Sequence, residues 1–151
     1  MNKKQKEIFE KYLSLCKEYD YIIDIATLAS KLGYEIKNMT PKKRDIFYKE
    51  TIAIVQNTKE NKIILKNNEY SEGVCRFCVA YFLAKDYLGK LKETDIYSCI
   101  EIPDKEAYEL AKTLILPISL QKNNDPEQIN TKCKRLIIPY RVFLDSENQK
   151  Q

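Results

Sequence analysis

Four cysteines, Cys75, Cys78, Cys99 and Cys133, are the first residues whose types could do chemistry. Four thiolates hold a structural zinc ion tetrahedrally, and Cys75-x-x-Cys78 has the spacing of one half of such a site. That pair, however, falls inside the run "GVCRFCVAYFLAKDYLGK", residues 73–90, whose apolar rhythm is helical, whereas zinc knuckles sit at turns. The other two are single residues far apart, so small apolar core thiols are the simpler reading. Adding Cys16 makes the cysteine count odd, which favours reduced thiols over a disulfide framework. Histidine is absent altogether. Its absence removes the usual proton shuttle near neutral pH, the commonest metal ligand and every nucleophile triad built on an imidazole. Only three glycines occur, with no strand, glycine-rich turn and helix to cradle a phosphate.

The same run raises a second question, because Lys85 lies on a face where apolar residues are expected. A helix over residues 71–89, capped by Ser71, would bury Phe77, Ala80, Ala84 and Leu88, which recur at intervals of three and four. Around it, residues 5–19 read as an amphipathic helix and residues 24–32 as a second, with Asp24 as its cap and Gly33 at its C-terminal end. "YEIKN" reads as a short strand, and Thr40-Pro41 is a helix-start signal. "TIAIVQ" and "KIILK", separated by the polar "NTKEN", form the pattern of an antiparallel hairpin. Asp104 caps a helix running to about residue 116, Asp125-Pro126 opens another, and Pro139 a short last one; "SENQKQ" reads as a frayed tail. With no internal repeat or linker, residues 1–151 are expected to form one domain of the α+β class, a small antiparallel sheet packed by helices.

These elements and their residues resemble the ImmA/IrrE family of small zinc metallopeptidases. "IATLASKLGYEI" is similar to the family's opening helix and strand, and "IAIVQ" with "KIILKN" to its hairpin. In the family the next helix reads R-F-x-x-A-H-E-x-x-H, and "RFCVAYFLAK" matches at Arg76, Phe77 and Ala80. A later family helix reads E-A-x-x-x-A-x-x-L-x-x-P, matched by Glu106, Ala107, Ala111, Leu114 and Pro117. The resemblance implies a zincin-like core. It also shows departures: Tyr81 stands at the first ligand histidine, Phe82 at the glutamate base, and Lys85 at the second histidine. A zinc peptidase needs two helix-borne ligands one turn apart and a carboxylate to deprotonate the bound water. Phe82 accepts no proton, an ammonium repels a dication, and a phenol ligates poorly until ionised. Glu106, at the third-ligand position, cannot hold zinc alone, so no catalytic residue, metal or cofactor is expected.

The expectation that follows is a catalytically inactive, metallopeptidase-like protein-binding module of a phage or mobile element. Its partner would be another protein: a regulator, a repressor or a host defence component. Tyr81, Lys85, Glu106, Tyr108, Ile54 and Ile64 are the residues expected to line the groove, with one edge of the hairpin exposed for an extended partner. Lys85 is expected to pair with Glu106, with the Tyr81 hydroxyl beside them, plugging the site. A peptidase with reassigned ligands is the alternative enzyme reading. Nucleic-acid binding is the other, because Lys132, Lys134, Arg135 and Arg141 surround a helix, turn and helix, but Pro139 leaves little room for a recognition helix. The 26 basic and 22 acidic residues are interleaved, so the net charge of +4 makes no dedicated patch. No run approaches the roughly 18 apolar residues of a spanning helix, and the polar start "MNKKQKE" lacks a signal-peptide core, so a cytoplasmic protein without a membrane partner is expected.

Overall fold

Short polar caps start most of the helices. Asn2 accepts the Gln5 backbone N–H at 2.8 Å while the Gln5 side chain accepts the Asn2 N–H at 2.9 Å, a reciprocal box that opens α1 (Lys3–Glu18). Asp24 caps α2 (Ile25–Lys31), and Gly33 follows at φ +90°, a left-handed conformation that a side chain would strain. The computed structural model describes residues 1–19, 23–42, 45–99 and 102–116. The expected helices after Asp125 and Pro139, Pro117, Cys133 and the four basic residues around them lie outside the described residues.

The remaining elements are β1 (Glu35–Asn38), α3 (Ile46–Glu50), β2 (Thr51–Asn57), β3 (Lys62–Lys66), α4 (Glu72–Tyr87), β4 (Thr94–Ser98) and α5 (Lys105–Ile115). Pro41 does not begin a helix; α3 starts later, with Asp45 accepting the Phe47 N–H. The described strands form one sheet in the order β1-β3-β2-β4. The expected antiparallel hairpin is present as β2 and β3, but β1 pairs with β3 in parallel, so the sheet is mixed. β4, absent from the sequence reading, pairs antiparallel with β2. Both hairpin strands are therefore central, and the edges are β1 and β4 rather than a strand of the hairpin.

Register tells which side chains share a face, because directly opposed residues point the same way. Val55 opposes both Ile64 and Asp95, and Ala53 opposes Tyr97. Val55, Ile64 and Ala53 are fully buried, so this is the face that meets the helices, and it carries Asp95 and Tyr97 into the core with it. Ile54, Leu65 and Ile96 lie on the opposite face and are only half-buried.

α4 runs through the middle of the molecule and is buried nearly all round: Phe77, Ala80 and Ala84 as expected, but also Cys78, Val79, Tyr81, Phe82 and Leu83. A helix this apolar on every side needs neighbours on every side. It packs on β2 on one side and against α2 and α5 on others. Ala80 on α4 and Ala107 and Ala111 on α5 are fully exposure-free, and such small side chains let two helices approach closely. No described helix is long and apolar enough to cross a membrane.

Candidate functional site

Tyr81 and Lys85, one turn apart on α4, both point toward β4 and the start of α5. The Lys85 ammonium lies 2.7 Å from the Asp95 carboxylate on β4, with only 12% and 10% of the two side chains exposed. Asp95 also accepts the Ile96 N–H at 3.0 Å and the Lys92 N–H at 3.4 Å. The expected partner, Glu106, is elsewhere: its side chain is 62% exposed and meets Lys90 at 2.9 Å. Position explains the exchange. Glu106 sits in the first turn of α5 and faces outward, whereas Asp95 is carried inward by its register opposite Val55.

Aromatic rings tie the strand to the helices. Tyr97 stands edge-on to Tyr81 at 4.9 Å between centroids and to Phe77 at 6.3 Å, and Tyr108 of α5 packs on Phe77 at 5.1 Å. The Tyr81 hydroxyl accepts the backbone N–H of Asp104 at 2.8 Å. Asp104 in turn caps α5, accepting the Ala107 N–H at 3.0 Å, and receives the Lys90 ammonium at 3.3 Å. The Ala107 N–H foremost, and then Lys90, hold its carboxyl below the usual carboxylate range. Burial pushes the Tyr81 phenol above its ordinary pKa, against the opposing effects of the Asp104 N–H and the Lys85 charge.

Between α4, β4 and residues 102–104 these groups enclose a polar pocket of about 160 Å³. Tyr81, Lys85, Asp95, Tyr97, Ser98 and Asp104 line it, with the exposed Lys92 and Ile102 at its margin. Of the six expected groove residues, the structure brings Tyr81 and Lys85 together here. Tyr108 is half-buried against Phe77, and Glu106 borders a separate, open depression of about 610 Å³ with Lys17, Lys90 and Glu109. Ile54 lies on the opposite face of the sheet and Ile64 is fully buried, so neither reaches the pocket. Asp95 and the Asp104 backbone complete the site without having been expected in it. An aspartate within the otherwise β-prone "DIYS" was a signal for Asp95, since strands rarely hold an aspartate without a partner.

The zinc ion that the ImmA/IrrE resemblance brings to mind does not fit these donors. Phe82 is fully buried carbon, the Lys85 nitrogen is a cation already bound to a carboxylate, and Glu106 faces a lysine. The cysteines give no substitute. Cys78 is fully buried and Cys75 nearly so, donating to the Asn67 carbonyl at 3.4 Å, and burial raises both thiols above their ordinary pKa. Cys99 is exposed, and among the described residues no three Cys, Asp or Glu side chains gather as metal ligands would. No protein-family model matches the chain, and no curated protein matches it either.

Proposed function

We propose that this protein is a catalytically inactive relative of the ImmA/IrrE metallopeptidases that acts by binding another protein. The observation that carries the reading is the chemistry at three positions of α4. Where the family has two ligand histidines and a glutamate base, this chain has a buried phenol, a fully buried phenyl ring and an ammonium fixed to Asp95 at 2.7 Å. Such a set can neither hold an open zinc site nor take a proton from water. It can still shape a recess, and the recess lies beside β4, an edge of the described sheet, where an extended chain could add. The order helix, helix, strand, short helix, hairpin, buried helix, strand and capped helix contains the expected succession and gives further support, as do the family-matching Ala80, Ala107 and Ala111 in the packing of α4 and α5. By the same analogy, the partner is a regulator, repressor or defence component met by a phage or mobile element.

The test has two parts on the purified chain. Elemental analysis should find no stoichiometric zinc, and an unfolded protein substrate should stay intact with or without a chelator. The same unfolded substrate, fluorescently labelled, should bind saturably. Stoichiometric zinc with chelator-sensitive cleavage would replace this reading by an enzyme with reassigned ligands; absence of polypeptide binding would remove the binding role.

A further inference from the structure

We infer that the pocket between α4 and β4 receives an amide carbonyl of a polypeptide, with the Tyr81 hydroxyl and the Lys85 ammonium as the two donors. The inference rests on the protein-binding reading and names the chemical group that its site would take. Tyr81 is 4% exposed and its oxygen already accepts the Asp104 N–H. Its own proton meets no acceptor among the described residues. Buried donors nearly always find a partner, and the space open to this one is the pocket, where a ligand acceptor can take the place of water. The phenol stays protonated well beyond neutral pH, because burial opposes its ionisation. Lys85 has three N–H donors, directs one at Asp95, and holds its nitrogen 5.7 Å from the centre of the Tyr81 ring. Two different donors therefore border the same space.

Charge selects the acceptor. Lys85 and Lys92 are matched in the lining by Asp95 and Asp104, so the pocket has no net charge, and an anion would meet two carboxylates as it met the lysines. A neutral oxygen with two lone pairs, a C=O group, takes both donors without that repulsion. Size agrees. A volume of about 160 Å³ is the share of about five waters and falls below the roughly 300 Å³ at which sites for small organic ligands begin. A peptide group fits where a drug-sized molecule does not. Ile102, 96% exposed at the margin, offers apolar contact to whatever side chain accompanies the carbonyl.

The experiment is a 1H–15N titration of the full chain with three probes: N-acetyl-trialanine N-methylamide, N-acetylglutamine N-methylamide and acetate. The blocked trialanine should shift the Lys92, Ile96 and Asp104 amides saturably, and Tyr81→Phe should weaken it by about fivefold or more, the loss of one hydrogen bond. Equal binding of the two amide probes assigns a main-chain carbonyl, whereas tighter binding of the glutamine probe assigns a side-chain amide; either supports the inference. Acetate binding more tightly than both would overturn it, as would shifts unchanged in Tyr81→Phe or no shift up to about 50 mM probe. Should Tyr81→Phe lose its fold, 3-fluorotyrosine at position 81 gives a 19F signal that must move with the amide probes and stay still with acetate. The zinc, cleavage and unfolded-substrate assays are independent of these outcomes, so failure of the pocket and failure of the binding reading are told apart.

Discussion

Replacing Lys85 by methionine removes the charge but keeps the stem, and the structure sets what this should cost. At 2.7 Å and an effective dielectric near 20, the bare attraction between the Lys85 and Asp95 charges is about 6 kcal/mol. Desolvation of two side chains only 12% and 10% exposed cancels several kcal/mol of this. What the variant loses is the compensation of Asp95, and breaking a buried pair from one side costs about 3–5 kcal/mol. Asp95 keeps the Ile96 N–H at 3.0 Å and borders an open pocket, so the low end, about 3 kcal/mol, is expected. For a chain of this length that is a fall in Tm of roughly 6–12 °C. Asp95→Asn should cost less, about 1–2 kcal/mol, because the amide oxygen still accepts from Ile96 and the Lys85 ammonium can turn toward pocket water. Urea unfolding of both single variants and the double variant closes the cycle, with a coupling of about 2 kcal/mol expected. A coupling below about 1 kcal/mol would mean that the pair behaves as a surface contact, and the account of a plugged helix face would fail.

Asn67 is fully buried and donates to the Tyr48 and Thr51 carbonyls at 2.8 and 3.0 Å, so Asn67→Ala should orphan both and lower stability by about 2–4 kcal/mol in urea unfolding; a change under about 1 kcal/mol would count against this bracing of α3. Phe82→Glu should abolish cooperative melting, since the position is sealed carbon with no room for an unpaired carboxylate; a folded variant would contradict this. Burial pushes the Cys16 thiol from 9.0 to about 11. Its folded pKa being raised, its contribution is whole below pH 9 and fades between pH 9 and 11, as the unfolded thiol ionises and the folded one does not. The urea midpoint should therefore fall over that window by the equivalent of up to about 3 kcal/mol more in the wild type than in Cys16→Val, and parallel curves would refute the assignment.

The helices were legible because their signals are local. Asp24, Ser71 and Asp104 each cap a helix within three residues of themselves, and Gly33 ends one by its own φ. The hairpin was legible for the same reason, two β-rich runs being joined by a short polar loop. β1 was found as a strand, but its parallel pairing with β3 depends on the packing of α2 and on the chain between, and no short-range pattern encodes that. β4 escaped because its core-facing residues are an aspartate and a tyrosine, which give no apolar alternation. The site inherited that omission. With no strand expected at residues 94–98, the family resemblance matches Lys85 to Glu106, and the actual partner lies across a turn on an unseen edge.

That edge position bears on the order in which the molecule assembles. The β2–β3 hairpin closes a loop of a few residues and can form in about 1–10 μs, whereas β4 must wait for the whole of α4 to return the chain to β2. β4 therefore docks after the hairpin, held to β2 by hydrogen bonds and to the helices on its face by Tyr97 and Asp95. The pocket is built from that late-docking strand. The recess exists only once β4 has docked, so an occupant seated there stabilises the docked strand and acts as a clasp on that late step of folding.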